Sequence, residues 1–405
     1  MRTSRLLFVS LLAIVSLLLA ACQPTATPAA PAASPEATTA VEPTTAVTGA
    51  LTLWHSYHTG GAEEQALTQV VDMARQQFPD AEISVLAIPF DQVFNKWETE
   101  VAAGSGPDMF IAPNDNLGKE VRAGLLEPVD ASLLGEGLYP IAIEGMTVDG
   151  KLYAVPESLK AVALYYNSES IETPPTTTDE LLQLVKDGKV LVLNQNPYHN
   201  FGFWSAFGEG FFAEDGTCDA GGGLTAAMEY LVELKEAGAR FETDGSKADT
   251  MFRTGEADMI INGPWAFGDY RADVGDKLGV APMPAGPAGP AGPLTGVDGW
   301  YVNPNGTNKE SAVNLALFLT TQAAEQIYVD VAGHSPARTD VTIGDPLIAG
   351  FAESASNGYP RPQGTWFDNY WGPFGDQFTK IIEGTVEPAA GIEQACADMN
   401  AANGK

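Results

Sequence analysis

ALTLWHSYHTGGAEEQALTQVVDMARQQFPDAEISVLAIPFDQVFNKWETEVAAGSGPDMFIAP, residues 50–113, switches repeatedly between two periodicities. ALTLWHSY (50–57) reads as a short strand. A helix is expected from about Gly61 to Phe78, where Leu67, Val70, Val71, Ala74 and Phe78 fall on one face. AEISVLAIPF (81–90) is strand-like, VFNKWETEVAAG (93–104) helical, and PDMFIAP (107–113) strand-like again. Parallel neighbours need a crossover connection, so this β-α-β-α-β order predicts an α/β domain with a largely parallel sheet.

The alternation continues through KLYAVPES (151–158), the very apolar AVALYYN (161–167) and a helix opened by TTTDELLQLVKDG (176–188), where Thr178 can cap the first turn. Helices are expected at TAAMEYLVELKEAG (225–238) and around MFRTG (251–255), and strands at ADMIIN (257–262) and LGVAPMP (278–284). PAGPAGPAGP (284–293) has the collagen period. Three repeats are too few for a triple helix, so an extended solvent loop is expected. Further helices lie around ESAVNLALFLTTQAAEQIYVDV (310–331) and FTKIIEGTVEPAAGIEQACADM (378–399).

Arg2 and Arg5 precede an apolar run from Leu6 to Ala21 that stops at Leu19-Ala20-Ala21-Cys22. This pattern reads as a secretory signal peptide (1–21) with a lipoprotein-type cleavage site, Cys22 becoming the lipidated first residue; an uncleaved anchor is the alternative. Residues 22–49 are almost only Pro, Ala, Thr, Ser, Val and Glu, too poor in bulky apolar groups to repay ordering. They read as a disordered tether holding the folded part about 30 Å from a membrane. The chain is therefore expected outside the cytoplasm and membrane-anchored, at the cell surface or in a periplasm.

The remaining segment, roughly 355 residues, exceeds what one core usually holds, so two domains are expected. Lys+Arg 21 against Asp+Glu 52 gives a net charge of −31, which excludes nucleic acid and anionic surfaces as partners and favours a neutral or cationic one. With Cys22 taken by lipid, Cys218 and Cys396 remain. In an oxidising compartment they are a possible disulfide; two free thiols are the alternative.

No G-x-S-x-G, Walker or G-x-G-x-x-G motif is present, and carboxylate pairs such as Glu63-Glu64 carry little weight in so acidic a chain. His55 and His58 form H-x-x-H, but zinc would need His199 or His334 to converge on them. No metal, cofactor or catalytic residue is assigned. The aromatics say more. Trp54, Tyr198, Trp265, Trp300, Trp366, Tyr370 and Trp371 lie largely where strands give way to turns, the edge at which open α/β sheets bind ligands. Asn114, Asp115, Asn116, Asn196 and Asp298 accompany them. Flat rings stack on sugar faces while amides and carboxylates take hydroxyls, each charge-assisted hydrogen bond being worth about 1.5–3 kcal/mol.

GSGPDMF (104–110) with Asn114-Asp115, GLLEPVD (124–130), GKLYAVP (150–156), LYYN (164–167), QNPY (195–198), GEADMIINGPWAF (255–267) and Tyr370-Trp371 follow one another in an order that resembles the family 1 extracellular solute-binding proteins, specifically their maltose/maltodextrin-binding branch. The resemblance runs over about 50–400. It implies a two-lobed periplasmic-binding-protein-like fold of type II, with mixed central sheets, that closes on a sugar by hinge motion and delivers it to an ABC permease without catalysis. It implies a monomer whose lobes comprise 50–158 with 298–340, and 162–296 with 344–405. By position, Trp265 and Trp371 match the family's stacking tryptophans, Tyr198 its stacking tyrosine and Asp115 its hydroxyl-binding aspartate. Gly263 and Pro264 would end the strand and start a helix, setting Trp265 in its first turn. Lys160 and Asn196 stand where glutamates are expected, and Ala112 where a stacking tryptophan is; Asp298 and Trp300 are candidates to compensate. A maltooligosaccharide is the expected ligand. Trehalose, a cyclodextrin, a β-linked sugar, a polyamine, or a surface carbohydrate-active enzyme with a carboxylate pair are the alternatives.

Overall fold

The computed structural model describes residues 46–213 and 215–405. The expected signal peptide, Cys22 and most of the expected tether lie outside the described residues.

The strands, in chain order, are β1 (Gly49–His55), β2 (Ala81–Ala87), β3 (Met109–Pro113), the small hairpin β4 (Thr147–Val148) and β5 (Lys151–Leu152), β6 (Ala154–Lys160), β7 (Ala163–Asn167), β8 (Leu191–Asn194), β9 (Arg240–Glu242), β10 (Met259–Asn262), β11 (Leu278–Ala281), β12 (Leu294–Val302), β13 (Ser335–Pro336) and β14 (Tyr359–Pro360). They form two mixed sheets beside that hairpin. The first has the order β13-β6-β12-β3-β1-β2, with β14 added to β12; the second is β11-β7-β10-β8-β9. In the first sheet, β1 pairs parallel with β2 and β3, as the opening βαβαβ pattern requires, while β12 runs antiparallel to both β3 and β6. Helices α1 (Ala62–Gln77) and α2 (Phe90–Ala102) make the crossovers, and α3 (Leu117–Arg122) follows β3.

Each sheet has its own core. The first gathers Leu51, Leu53, Leu67, Val70, Phe110, Trp97 and Tyr301. The second sheet is covered on both faces, and period-two alternation shows it directly. Leu164, Leu191, Leu193, Met259 and Ile261 belong to one apolar cluster, whereas Ala163, Tyr165, Val192 and Ile260 belong to another. This is why LVLN and MIIN read as unbroken apolar runs. The chain passes from the first sheet to the second between Lys160 and Ala163, and Cys218 is bonded to Cys396 across a separation of 178 residues.

Three local expectations are corrected. The tether does not extend to Gly49: Val47 is buried in the first core, Asn314 Nδ2 donates to the Ala46 carbonyl, and β1 already begins at Gly49. The cap of Thr178–Lys186 is Thr177 rather than Thr178, because Thr177 Oγ1 accepts from the Glu180 amide while Glu180 reaches back to the Thr177 amide. PAGPAGPAGP is docked rather than solvated along its length. Ala291, Gly292 and Pro293 are buried, and a Cβ on Gly286 would come within 2.2 Å of the Ala206 carbonyl oxygen, so glycine there permits a close backbone approach.

Candidate functional site

Strand β10 ends at Asn262, whose side chain secures the turn. Its Oδ1 accepts from the Gly263 amide at 2.9 Å, and its Nδ2 donates to Asp249 Oδ1 and Tyr270 Oη, each at 2.8 Å. Tyr165 Oη donates to the Gly263 carbonyl at 2.8 Å. Pro264 opens a single 3-10 turn, Pro264–Ala266, and Trp265 folds back over Gly263 so closely that a Cβ there would meet the ring at 2.0 Å. The glycine is what allows this ring orientation.

The half-buried Trp265 faces Tyr198, with centroids 6.1 Å apart, and the His199 ring at 6.0 Å. Burial lowers the His199 pKa to about 4, leaving a neutral imidazole. Asn196 shapes this corner: its Oδ1 accepts from the Tyr198 amide at 3.1 Å and the His199 amide at 3.0 Å. Its side chain is thus engaged by the turn that presents Tyr198.

Sequence reasoning missed the centre of the constellation, Arg361. It is 6% exposed, forms an ion pair with Asp115, and holds its guanidinium carbon 5.3 Å from the Tyr198 centroid and 5.8 Å from that of Trp371. Burial pushes its pKa down to about 9, so it remains charged at neutral pH. Trp371 opens the helix Trp371–Ile382, braced by Phe367 and Tyr370. The only signal for Arg361 in the sequence was a cation between two prolines in a chain poor in cations. Asp115 is placed by its neighbour Asn114, whose Nδ2 donates to the Gly145 carbonyl at 2.8 Å and whose Oδ1 accepts from the Val297 amide at 3.2 Å.

Lys160, at the end of β6, lies 5.9 Å from the Trp265 centroid and is wholly engaged below it. Its ammonium is 3.1 Å from Glu63 Oε1, 3.1 Å from Asp298 Oδ2 and 3.4 Å from His334 Nε2. His334 Nε2 meets Glu63 at 2.7 Å and its Nδ1 meets Glu157 at 3.0 Å. Burial and Lys160 pull the His334 pKa down, but Glu157 and Glu63 outweigh them and hold it at about 9. Burial pushes the Asp298 carboxyl up to about 6 against the attraction of Lys160. Burial alone would raise Glu63, yet Lys160 and His334 bring it below its ordinary value. Two cations facing three buried carboxylates form a fixed network where the chain leaves the first sheet.

Trp300 does not join the cleft aromatics. It is 0% exposed in the first core, in register with Ile111 and Val155. The register irregularity opposite Asp298 and Gly299 places the extra residue, Glu157, in β6, while β12 keeps an unbroken register with β3. Trp54 is likewise buried in the first core with Lys96 over its ring, and Tyr370 is fully buried beneath Trp371. Ala112 is interior to β3. His55 is buried against Glu64 at 3.7 Å, and among the described residues no group of three or more His, Cys, Asp or Glu has metal-holding geometry.

A family model described as bacterial extracellular solute-binding protein matches residues 69–349. The chain belongs to that family. This solute-binding protein is 28% identical over 363 residues to a maltotriose-binding protein of Pyrococcus abyssi, covering 83% of this chain and 78% of the relative. It is 25% identical over 345 residues to a galactooligosaccharide-binding protein of Bacillus subtilis, covering 78% and 82%. Its structure is similar to that of the Thermus thermophilus maltotriose-binding protein bound with maltotriose, at TM-score 0.78 and 30% identity, covering 87% of this chain and 99% of the other. The solute-binding protein therefore has the two-lobed type II fold that the family resemblance implied, with two mixed central sheets. No helix among its described residues is long and apolar enough to cross a membrane.

Proposed function

We propose that the protein is the substrate-binding component of an ABC sugar importer, taking maltooligosaccharides between its lobes and delivering them to permease subunits. The observation that carries this reading is that Tyr198 and Trp371 flank the buried Arg361, which pairs with the half-buried Asp115, while Trp265 faces Tyr198. Aromatic faces supply apolar stacking surface, and Asp115 and Arg361 supply an acceptor and donors for sugar hydroxyls. Arg361 Nε has no hydrogen-bond partner among the described residues, so a hydroxyl oxygen would satisfy it. Maltotriose-binding relatives support the same class of ligand.

The lobes, 50–158 with 298–340 and 162–296 with 344–405, would close about the chain crossings near Lys160–Ala163, near Gly296–Gly299 and after Pro336. Cys22 would carry the lipid that keeps a monomeric receptor at the membrane. Calorimetric titration with maltose, maltotriose, cyclodextrin, trehalose, cellobiose, a galactooligosaccharide and putrescine tests the reading. Micromolar or tighter binding of the α-1,4 series is expected. Silence from that series with binding of another ligand would keep the receptor and replace its substrate. Absence of reducing ends after long incubation with starch is expected of a binder without catalysis.

A further inference from the structure

Beyond the rings, the two lobes also touch through Gln363 and its neighbours. Gln363 comes from the segment between β14 and the short helix Thr365–Asp368, whose Phe367 lies in a second-sheet core. It reaches α3, whose Leu117 lies in the first core. Gln363 Oε1 accepts from the Gly118 amide at 3.2 Å, and its Nε2 donates to the Asn114 carbonyl at 3.2 Å. Arg122 Nη1 donates to the Gln363 carbonyl at 3.1 Å, and Arg122 also pairs with Asp368. The approach is tight: a Cβ on Gly118 would come 2.1 Å from the Gln363 carbonyl oxygen.

The place of this contact along the cleft follows from its neighbours. From the buried Lys160 network, the proposed ligand surface runs through Trp265 and Tyr198 to Arg361 and Trp371. Gln363 is two residues beyond Arg361, donates to the Arg361 carbonyl at 3.3 Å, and bonds the carbonyl of the residue before Asp115. Backbone therefore meets backbone immediately next to the Asp115–Arg361 pair.

We propose that Gly118, Arg122, Gln363 and Asp368 form a clasp that ends the cleft and makes the receptor select short linear oligosaccharides. Building on the sugar-binding reading above, the inference adds a limit on chain length. An exposed Arg–Asp pair contributes little holding force. The selection is therefore steric: a longer chain must part the two backbones and strand the Gly118 amide and the Asn114 carbonyl, a cost the short chain does not incur.

The test is calorimetry of the purified protein with the linear series from maltose to maltoheptaose, alongside Gln363→Ala/Asp368→Ala and, separately, Arg122→Ala. These side chains are partly exposed, and circular dichroism checks each fold. The unaltered protein is expected to lose at least about tenfold in affinity between maltotriose and maltoheptaose, and the double variant to narrow that gap to about threefold or less. Equal affinity along the series in the unaltered protein, an unchanged gap in the variants, or a uniform loss at every length would overturn the clasp as a length stop while leaving sugar binding intact. Failure of every α-glucan to bind overturns the sugar reading, and the length limit with it.

Discussion

At the scale of single residues, burial separates tryptophans that the sequence could not distinguish. Trp265 and Trp371 are half-buried at the cleft, whereas Trp300 is fully enclosed. Trp265→Ala and Trp371→Ala should each weaken sugar binding by about 1–2 kcal/mol with little change in melting temperature. Trp300→Ala should instead cost about 3–5 kcal/mol of folding stability, read from denaturant midpoints. His334 gives a pH signature. Its folded pKa of about 9 exceeds the ordinary 6.5, so its stabilisation is fully present below 6.5 and is lost as pH rises through 9. Urea midpoints should therefore fall between pH 6.5 and 9.5, and His334→Gln should flatten that slope. Asp298, raised to about 6, adds a loss between about pH 4 and 6. Tyr198 and Asp115 could be picked out from local sequence, but Arg361 could not. Its ion pair joins positions 246 residues apart in the chain, and only folding brings them together.

Among the elements, the turn after β10 links packing to recognition. Gly263→Ala would push a methyl into the Trp265 ring, 2.0 Å from its nearest atom, and should reduce sugar affinity about as much as Trp265→Ala, with the domain still folded by circular dichroism. The strands and helices of residues 50–113 were legible because helical and alternating apolar periods are local signals. Composition gives PAGPAGPAGP its extended backbone but not the surface it docks on; Gly286 fits against Ala206 only once the helix Gly202–Phe207 is in place. Asn196 was read as a ligand group, yet the bonds it makes to the amides two and three residues ahead are those of a turn former.

At the scale of the whole molecule, two mixed sheets carry the fold, as the family resemblance implied. The disulfide between Cys218 and Cys396 belongs to this scale, since it ties a loop to the C-terminal helix across most of one lobe. Cys218→Ser/Cys396→Ser should cost about 2–5 kcal/mol of stability while leaving sugar affinity within about threefold, because neither residue lines the cleft. Closure of two lobes on a ligand is an expectation that only the family resemblance supplies; periodicity predicts sheets but not how two of them face each other. The most direct measurement is titration of maltotriose into the purified protein with parallel measurement of its radius of gyration. Micromolar or tighter binding, lost together with any contraction in Trp265→Ala/Trp371→Ala, is the predicted result. No binding of any α-glucan, or binding unaffected by removing both rings, would contradict it.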